Sequence, residues 1–362
     1  MRYKELFVDV TKLAKKLPTS EYHETGKYPI IDQGKKTIAG YTDIEEGLFT
    51  EVPAIIFGDH TRIIKYIDTP FFIGADGVKV IKCLDKGADY KYCYYLLKSA
   101  RIPDTGYNRH YKWLKESVFS EHNKQQQKQI VDALTAMDQL IVKYNTEINI
   151  LDELIKSRFV EMFGDPMTNP MKWIKKPLLQ LGSCKNGMNF RSNDSGIEIQ
   201  CLGVGDFKDF STIPDTSVLP KISLNEMPSV EYLLRDNDIV FVRSNGNKAL
   251  VGRCLAVYPG DIPTTFSGFC IRFRIEDNSI TVPYLLRVLK TESVRKKVAG
   301  RGANIQNLNQ KILSSLEIPI PPIDLQNQFA DFVSQVDKTK SEVKQSIEKL
   351  ETLKKSLMQE YF

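Results

Sequence analysis

The chain has 362 residues, 42% of them hydrophobic and 26% charged, with a net charge of +5, which suits a globular protein of two ordinary domains. No apolar run approaches the roughly 20 residues that span a bilayer, and the opening "MRYKELFVDVTK" lacks the apolar centre of a signal peptide, so a cytoplasmic protein with no membrane partner is expected. The six cysteines (Cys83, Cys93, Cys184, Cys201, Cys254, Cys270) form no C-x-x-C pair and read as reduced thiols, mostly in cores, rather than as zinc ligands.

In chain order, "PAIIFGDHTR" (53–62) predicts an apolar strand running into a polar loop that offers Asp59, His60, Thr61 and Arg62. "GADG" (74–77) reads as a structural turn, and "YCYYLLKS" (92–99) as a short helix. "GYNRHYKWLK" (106–115) then gathers Tyr107, Asn108, Arg109, His110, Tyr111 and Lys112. From there Ile130, Leu134, Met137, Ile141, Tyr144, Ile148, Leu151 and Ile155 recur by alternating steps of four and three, an unbroken heptad seam on one long helix. "FGDPMTNP" (163–170) closes it with turn residues.

The second half repeats this order. "NGMNFRSND" (186–194) presents Arg191, and "NDIVFVRSNG" (237–246) is again an apolar strand before a polar loop. That loop offers Arg243, Ser244, Asn245, Asn247 and Lys248, with Gly246 permitting a tight turn. "YLLRVLKT" (284–291) matches the earlier short helix, and a polar run follows with Lys296, Lys297, Arg301, Asn304, Gln306 and Asn307. After "IPIPP" (318–322) comes a second heptad seam: Phe329, Val333, Val336, Lys340, Val343, Ile347, Leu350 and Lys354. Each of its positions lies 199 residues after its counterpart in the first seam, and Gln129, Asp132 and Asp138 recur as Gln328, Asp331 and Asp337.

A one-sided apolar seam needs a partner, so the two helices are expected to pack on each other, antiparallel and with pseudo-twofold symmetry. Lys340 and Lys354 would then set register or partner choice. The plainer alternative is two unrelated amphipathic helices in separate cores, but shared Gln and Asp positions do not follow from a heptad.

Charge is distributed unevenly: +2 over 1–123, −1 over 124–163, +4 over 164–324 and 0 over 325–362. The positive excess therefore lies outside the helices, as a polyanionic partner would require. Forked donors and amides such as Arg, Asn and Gln read base edges, while Lys, Arg and hydroxyls hold phosphates. The loops contain that mixture, with Lys296 and Lys297 the phosphate-facing candidates; a solvated loop is the plainer reading of 106–112. Catalytic signatures are missing. There is no phosphate loop for ATP, no Asn/Asp-Pro-Pro-aromatic stretch of an amino-methyltransferase, and no Pro-Asp…Glu-x-Lys nuclease set within either domain. Asp59 and His60 have no second histidine cluster to complete a metal site.

The stretches "YPIIDQG" (28–34), "IIFGDHTR" (55–62), "FFIGADGVKV" (71–80), "GYNRHYKWLKE" (106–116) and "IPIPPIDLQNQF" (318–329) together carry a resemblance to the specificity (S) subunits of Type I restriction-modification systems, over essentially the whole chain. The resemblance implies an α+β fold. Two α/β target-recognition domains (1–123 and 164–324) would be separated by two conserved spacer helices (124–163 and 325–362) packed as an antiparallel coiled coil. It further implies double-stranded DNA as a partner, read as a split, asymmetric target, with modification and restriction subunits docked on the helices. S-adenosylmethionine, ATP and Mg would bind those subunits, leaving this chain without cofactor, metal or catalytic residue. One departure stands out: the first helix is entered by "SVFSEHNKQQQKQ" rather than by a Pro-Pro stretch. A coiled-coil scaffold whose globular ends bind proteins remains the alternative.

Overall fold

The computed structural model describes residues 1–74, 76–191, 194–207, 212–299 and 307–362. They form two compact units: Met1–Thr146 with Val343–Phe362, and Glu147–Glu342.

In chain order the first unit contains α1 (Tyr3–Leu6), β1 (Phe7–Asp9), β2 (Tyr28–Ile31), β3 (Gly40–Thr42), β4 (Ala54–Gly58), β5 (Ile64–Ile67), β6 (Phe72–Ile73), β7 (Val78–Cys83), α2 (Tyr90–Lys98) and α3 (Tyr111–Glu116). The long helix α4 (Lys124–Phe163) begins in this unit. One sheet has the order β1-β7-β4-β5, and a second the order β3-β2-β6 with β2 and β6 parallel. β4 reads "AIIFG" and is buried at every position, as a central strand covered on both faces should be. Its alternation serves two cores: Ile55 and Phe57 face the helices, and Ala54 and Ile56 face a cluster with Phe71, Ile73 and Val80. Helix α2 starts where the Asp89 carboxylate accepts from the Lys91 and Tyr92 amides at 2.8 and 3.1 Å, an N-cap that satisfies two otherwise orphaned donors.

The second unit contains β8 (Lys175–Pro177), β9 (Gly182–Asn186), β10 (Ile197–Leu202), β11 (Thr212–Ile213), β12 (Lys221–Leu224), β13 (Asp238–Val242), β14 (Cys254–Val257), β15 (Thr264–Phe266), β16 (Cys270–Ile275), α5 (Val282–Lys290), α6 (Glu292–Ala299), α7 (Gln310–Ser314), β17 (Glu317–Pro319) and the start of α8 (Ile323–Tyr361). Its larger sheet runs β11-β14-β13-β16-β9 and its smaller one β12-β10-β15, with β10 and β15 parallel. Strand β13 repeats β4: Ile239 and Phe241 face the helices, while Val240 and Val242 face the other core. The same topology thus occurs twice, and both short helices expected from the sequence, α2 and α5, are present.

The helix pairing follows the seam. None of its eight positions on α4, and none of its eight on α8, is exposed. In the first unit Ile130, Val131 and Leu134 near the start of α4 share a core with Leu357, Met358, Tyr361 and Phe362 at the end of α8. In the second, Phe159 and Phe163 at the end of α4 meet Phe329 near the start of α8, with ring centroids 5.5 and 5.6 Å apart. Each unit therefore contains an antiparallel helix pair. The polar seam positions are matched: Lys354 Nζ donates to the Asp138 carboxylate and Lys340 Nζ to that of Asp152 at 2.5 Å. Asp138 to Asp152 is two heptads along α4, and Lys340 to Lys354 two along α8.

Candidate nucleic-acid interface

In the first unit the β4–β5 loop is pinned by Gln33, which the sequence reading did not single out. Its Oε1 accepts from the His60 amide at 3.1 Å, its Nε2 donates to the Asp76 carbonyl at 2.9 Å, and its own carbonyl accepts from Thr61 Oγ1 at 2.6 Å. Arg62 has a left-handed backbone (φ 61°) and donates from Nη2 to Asp104 at 2.7 Å. The Gly106 amide, followed by Arg62, holds the Asp104 carboxyl below its usual range. The Gly77 carbonyl, in the segment expected to be a structural turn, accepts the Asp59 amide at 2.6 Å.

Three of the ten candidates in this unit are core residues rather than surface readers. Asp59 is buried, and its Oδ1 accepts the Tyr111 amide at 2.7 Å, capping the first turn of α3. His110 is fully buried, with Nδ1 on the Asp59 carbonyl at 3.0 Å and Nε2 on Thr105 Oγ1 at 3.4 Å. Tyr111 packs against Tyr3, their hydroxyls 3.0 Å apart, and burial pushes its phenol up to about 12. These three weld the 59–62 loop to α3, because a carboxylate or imidazole out of water needs protein partners.

What they weld is the exposed remainder. The His60 ring stacks on Tyr107, with centroids 4.7 Å apart and planes 6° from parallel, and Tyr107 is 87% exposed. Asn108 donates from Nδ2 to the Thr105 carbonyl at 2.6 Å, and its own carbonyl lies 3.2 Å from His60 Nδ1. Arg109 and Lys112 are exposed, and Lys112 Nζ lies 4.1 Å from the Trp113 ring centroid.

In the second unit three candidate segments converge on residues 267–269. The Arg243 amide donates to the Phe269 carbonyl at 2.7 Å, its carbonyl accepts from the Leu308 amide at 2.7 Å, and its Nη1 reaches the Gly268 carbonyl at 3.3 Å. Gly187 lies so close to this turn that a Cβ there would sit 2.1 Å from the Ser267 carbonyl oxygen, which explains the glycine. Asn245 and Asn247 shape the loop through their side-chain oxygens, which accept the Asn247 and Ala249 amides at 2.8 and 3.1 Å. Together Val204, Ser244, Asn245, Gly246, Lys248, Phe269 and Asn307 line a cleft of about 540 Å³. Phe269, 60% exposed, was missed: a phenylalanine in "FSGFC" reads as core until the turn is seen to push it outward.

Arg191 is exposed, its amide held by Asp194 Oδ2 at 2.9 Å. Lys296 and Lys297 are not free cations: Lys296 pairs with Glu292 at 2.5 Å, and Lys297 donates to the Ser315 carbonyl at 2.7 Å, tying α6 to α7. Arg301, Asn304 and Gln306 lie outside the described residues.

Both loops thus offer amides, cations and an exposed aromatic ring. All six cysteines are free thiols, and burial pushes Cys184, Cys201 and Cys270 up to about 12. Among the described residues no group of three His, Cys, Asp or Glu side chains could hold a metal ion, and no helix is long and apolar enough to cross a membrane.

Comparison with known proteins gives this arrangement a family. Residues 208–352 match the Type I restriction modification DNA specificity domain. The specificity subunit of the Type I restriction enzyme EcoR124I/EcoR124II from Escherichia coli is 23% identical over 341 residues, covering 88% of this chain and 81% of that protein. A putative Type I restriction enzyme MjaX specificity subunit from Methanocaldococcus jannaschii is 28% identical over 182 residues, which is 49% of this chain and 42% of that one. The fold is shared with the S subunit of a Type I restriction-modification system from M. genitalium, with a TM-score of 0.55 and 19% identity over 100% of this chain and 95% of that one. A duplicated sheet topology and a paired helix after each copy thus go with a match of residues 208–352 to that DNA specificity domain, and with a likeness over most of the chain to specificity subunits of Type I restriction enzymes.

Proposed function

We propose that this chain is the sequence-reading subunit of a Type I restriction-modification complex. It binds double-stranded DNA at a bipartite, asymmetric target, and docks modification (methyltransferase) subunits and a restriction (translocase and nuclease) subunit. The duplication carries the reading: β4 and β13 each end in a polar loop, one beside the His60–Tyr107 stack, the other beside Phe269. A scaffold for proteins would not need amides and cations at the same strand end twice. In the first unit His60, Tyr107, Asn108, Arg109 and Lys112 meet DNA. In the second, Arg191, Ser244, Asn245, Lys248, Phe269 and Asn307 do so around Arg243. Chemistry belongs to the partners, which bind S-adenosylmethionine, ATP and Mg; this chain binds none of them and has no catalytic residue.

The test is the methylated-base pattern of DNA from cells expressing the chain with its modification subunit. A split, asymmetric motif with methyladenine in both halves is expected. An assembled complex that leaves no motif would overturn the proposal and favour the scaffold.

A further inference from the structure

In the second unit, α5 and the local pair of α4 and α8 enclose a cavity of about 360 Å³, within the roughly 300–1,000 Å³ span of small-ligand sites. Its walls are apolar, from Ile155, Leu286, Phe329 and Val333, and its rim is charged. Lys340 serves both acids of that rim, 2.5 Å from Asp152 and 3.7 Å from Asp337, while Lys156 is taken by Glu153. Arg287 and Lys290 remain. Neither has a hydrogen bond or ion pair among the described residues, and Arg287 Nε is buried without a partner. They lie one turn apart on α5, on the same face. Three cations, Arg287, Lys290 and Lys340, thus face two carboxylates, leaving one positive charge unbalanced.

The internal repeat provides a comparison. At the matching positions of α2 stand Tyr95 and Lys98, and both are satisfied. Tyr95 Oη donates to Asp138 at 2.9 Å, and Lys98 Nζ donates to Tyr94 Oη at 3.2 Å. Where the first copy has a satisfied tyrosine, the second has an arginine without a partner among the described residues, beside a cavity. Burying unpaired cations is costly; burial also lowers the basicity of both. A leucine or methionine would fill the space more cheaply.

We propose that this cavity is a binding site for a small amphipathic monoanion, a carboxylate on an apolar body. The carboxylate sits between Arg287 and Lys290, and the apolar body lies against Leu286, Phe329 and Val333. Nothing in DNA recognition requires such a site, so it is a second, separate function of the chain.

The experiment is calorimetric titration of the full-length protein with octanoate as probe, alongside octan-1-ol (same body, no charge) and acetate (same charge, no body). Saturable binding of one octanoate is expected, with octan-1-ol about tenfold weaker or more, the scale of one charge-assisted hydrogen bond, and acetate at least as much weaker because it lacks the apolar body. The double variant Arg287→Met/Lys290→Met should lose octanoate binding to the same degree. Ala330→Leu, which fills the cavity from α8 and keeps both cations, should block binding while still melting cooperatively; it decides alone if the double variant does not fold. No saturable binding to the parent, octan-1-ol equal to octanoate, or unchanged binding by Ala330→Leu would each overturn the proposal.

Discussion

Within the six residues from Tyr107 to Lys112, two adjacent side chains, His110 and Tyr111, hold the fold while the four around them face water. His110 is fully buried and bonded at both ring nitrogens, while Arg109 beside it is exposed. Their substitutions should therefore separate. His110→Ala removes two hydrogen bonds and opens a void, so a loss of about 2–4 kcal/mol and a lower melting temperature are expected. Arg109→Ala should stay within about 0.5 kcal/mol of the parent in stability. It should instead lower specific DNA affinity by about 1–3 kcal/mol, the scale of one base-reading arginine. Melting curves and anisotropy titrations at one fixed salt concentration check both. A His110→Ala protein that melts like the parent, or an Arg109→Ala protein that binds like it, contradicts this assignment. The sequence could show that this stretch was rich in DNA-type side chains, but not which of them point inward. Asp59 and Tyr111 lie 52 positions apart, and no local period marks such a contact.

At the scale of elements, helix pairing was the most legible feature, because a heptad is periodic and its copy lies at a constant offset. The entry to the helices was less so. Gln326 is fully buried and donates from Nε2 to the Pro321 carbonyl five residues back, at 2.9 Å. Gln127, its partner in the repeat, does the same to the His122 carbonyl at 2.8 Å. The missing Pro-Pro stretch therefore hides a retained contact: the glutamine persists and the prolines do not. The lysines in the seam each meet an aspartate of the other helix, Lys340 with Asp152 and Lys354 with Asp138. Lys354 is 15% exposed and Asp138 38%, so Lys354→Glu should cost about 1–3 kcal/mol, less than the roughly 3–5 kcal/mol of a fully buried pair. Adding Asp138→Lys should recover most of that loss, since it restores opposite charges at the same register. Urea unfolding of the two single variants and the double supplies the cycle; a double variant no more stable than the sum of its parts would remove the pair from the register argument.

At the scale of the molecule, the repeat foretold two copies of one topology. The structure adds that each copy has its own core and that the chain's last residues, 343–362, belong to the first unit. That assignment follows from the antiparallel pairing expected from the two seams, which brings the end of the second helix back to the start of the first, over two hundred residues earlier in the chain. The copies are not identical. The first polar loop is built around Gln33 and a His–Tyr stack, the second around a phenylalanine at the rim of a cleft. Two different loops on separately folded units should read different half-sites, and each should fail alone. Arg109→Ala is expected to relax discrimination in one half of the target and leave the other half unchanged; Arg243→Ala should do the reverse. Each mismatch in the unaffected half should keep its cost of about 1–3 kcal/mol, and the double variant should lose the sum. Binding to DNA sets mismatched in one half at a time, at fixed salt, reads all of these. If either substitution relaxes both halves together, the units do not read independently, and the duplication serves assembly rather than a split target.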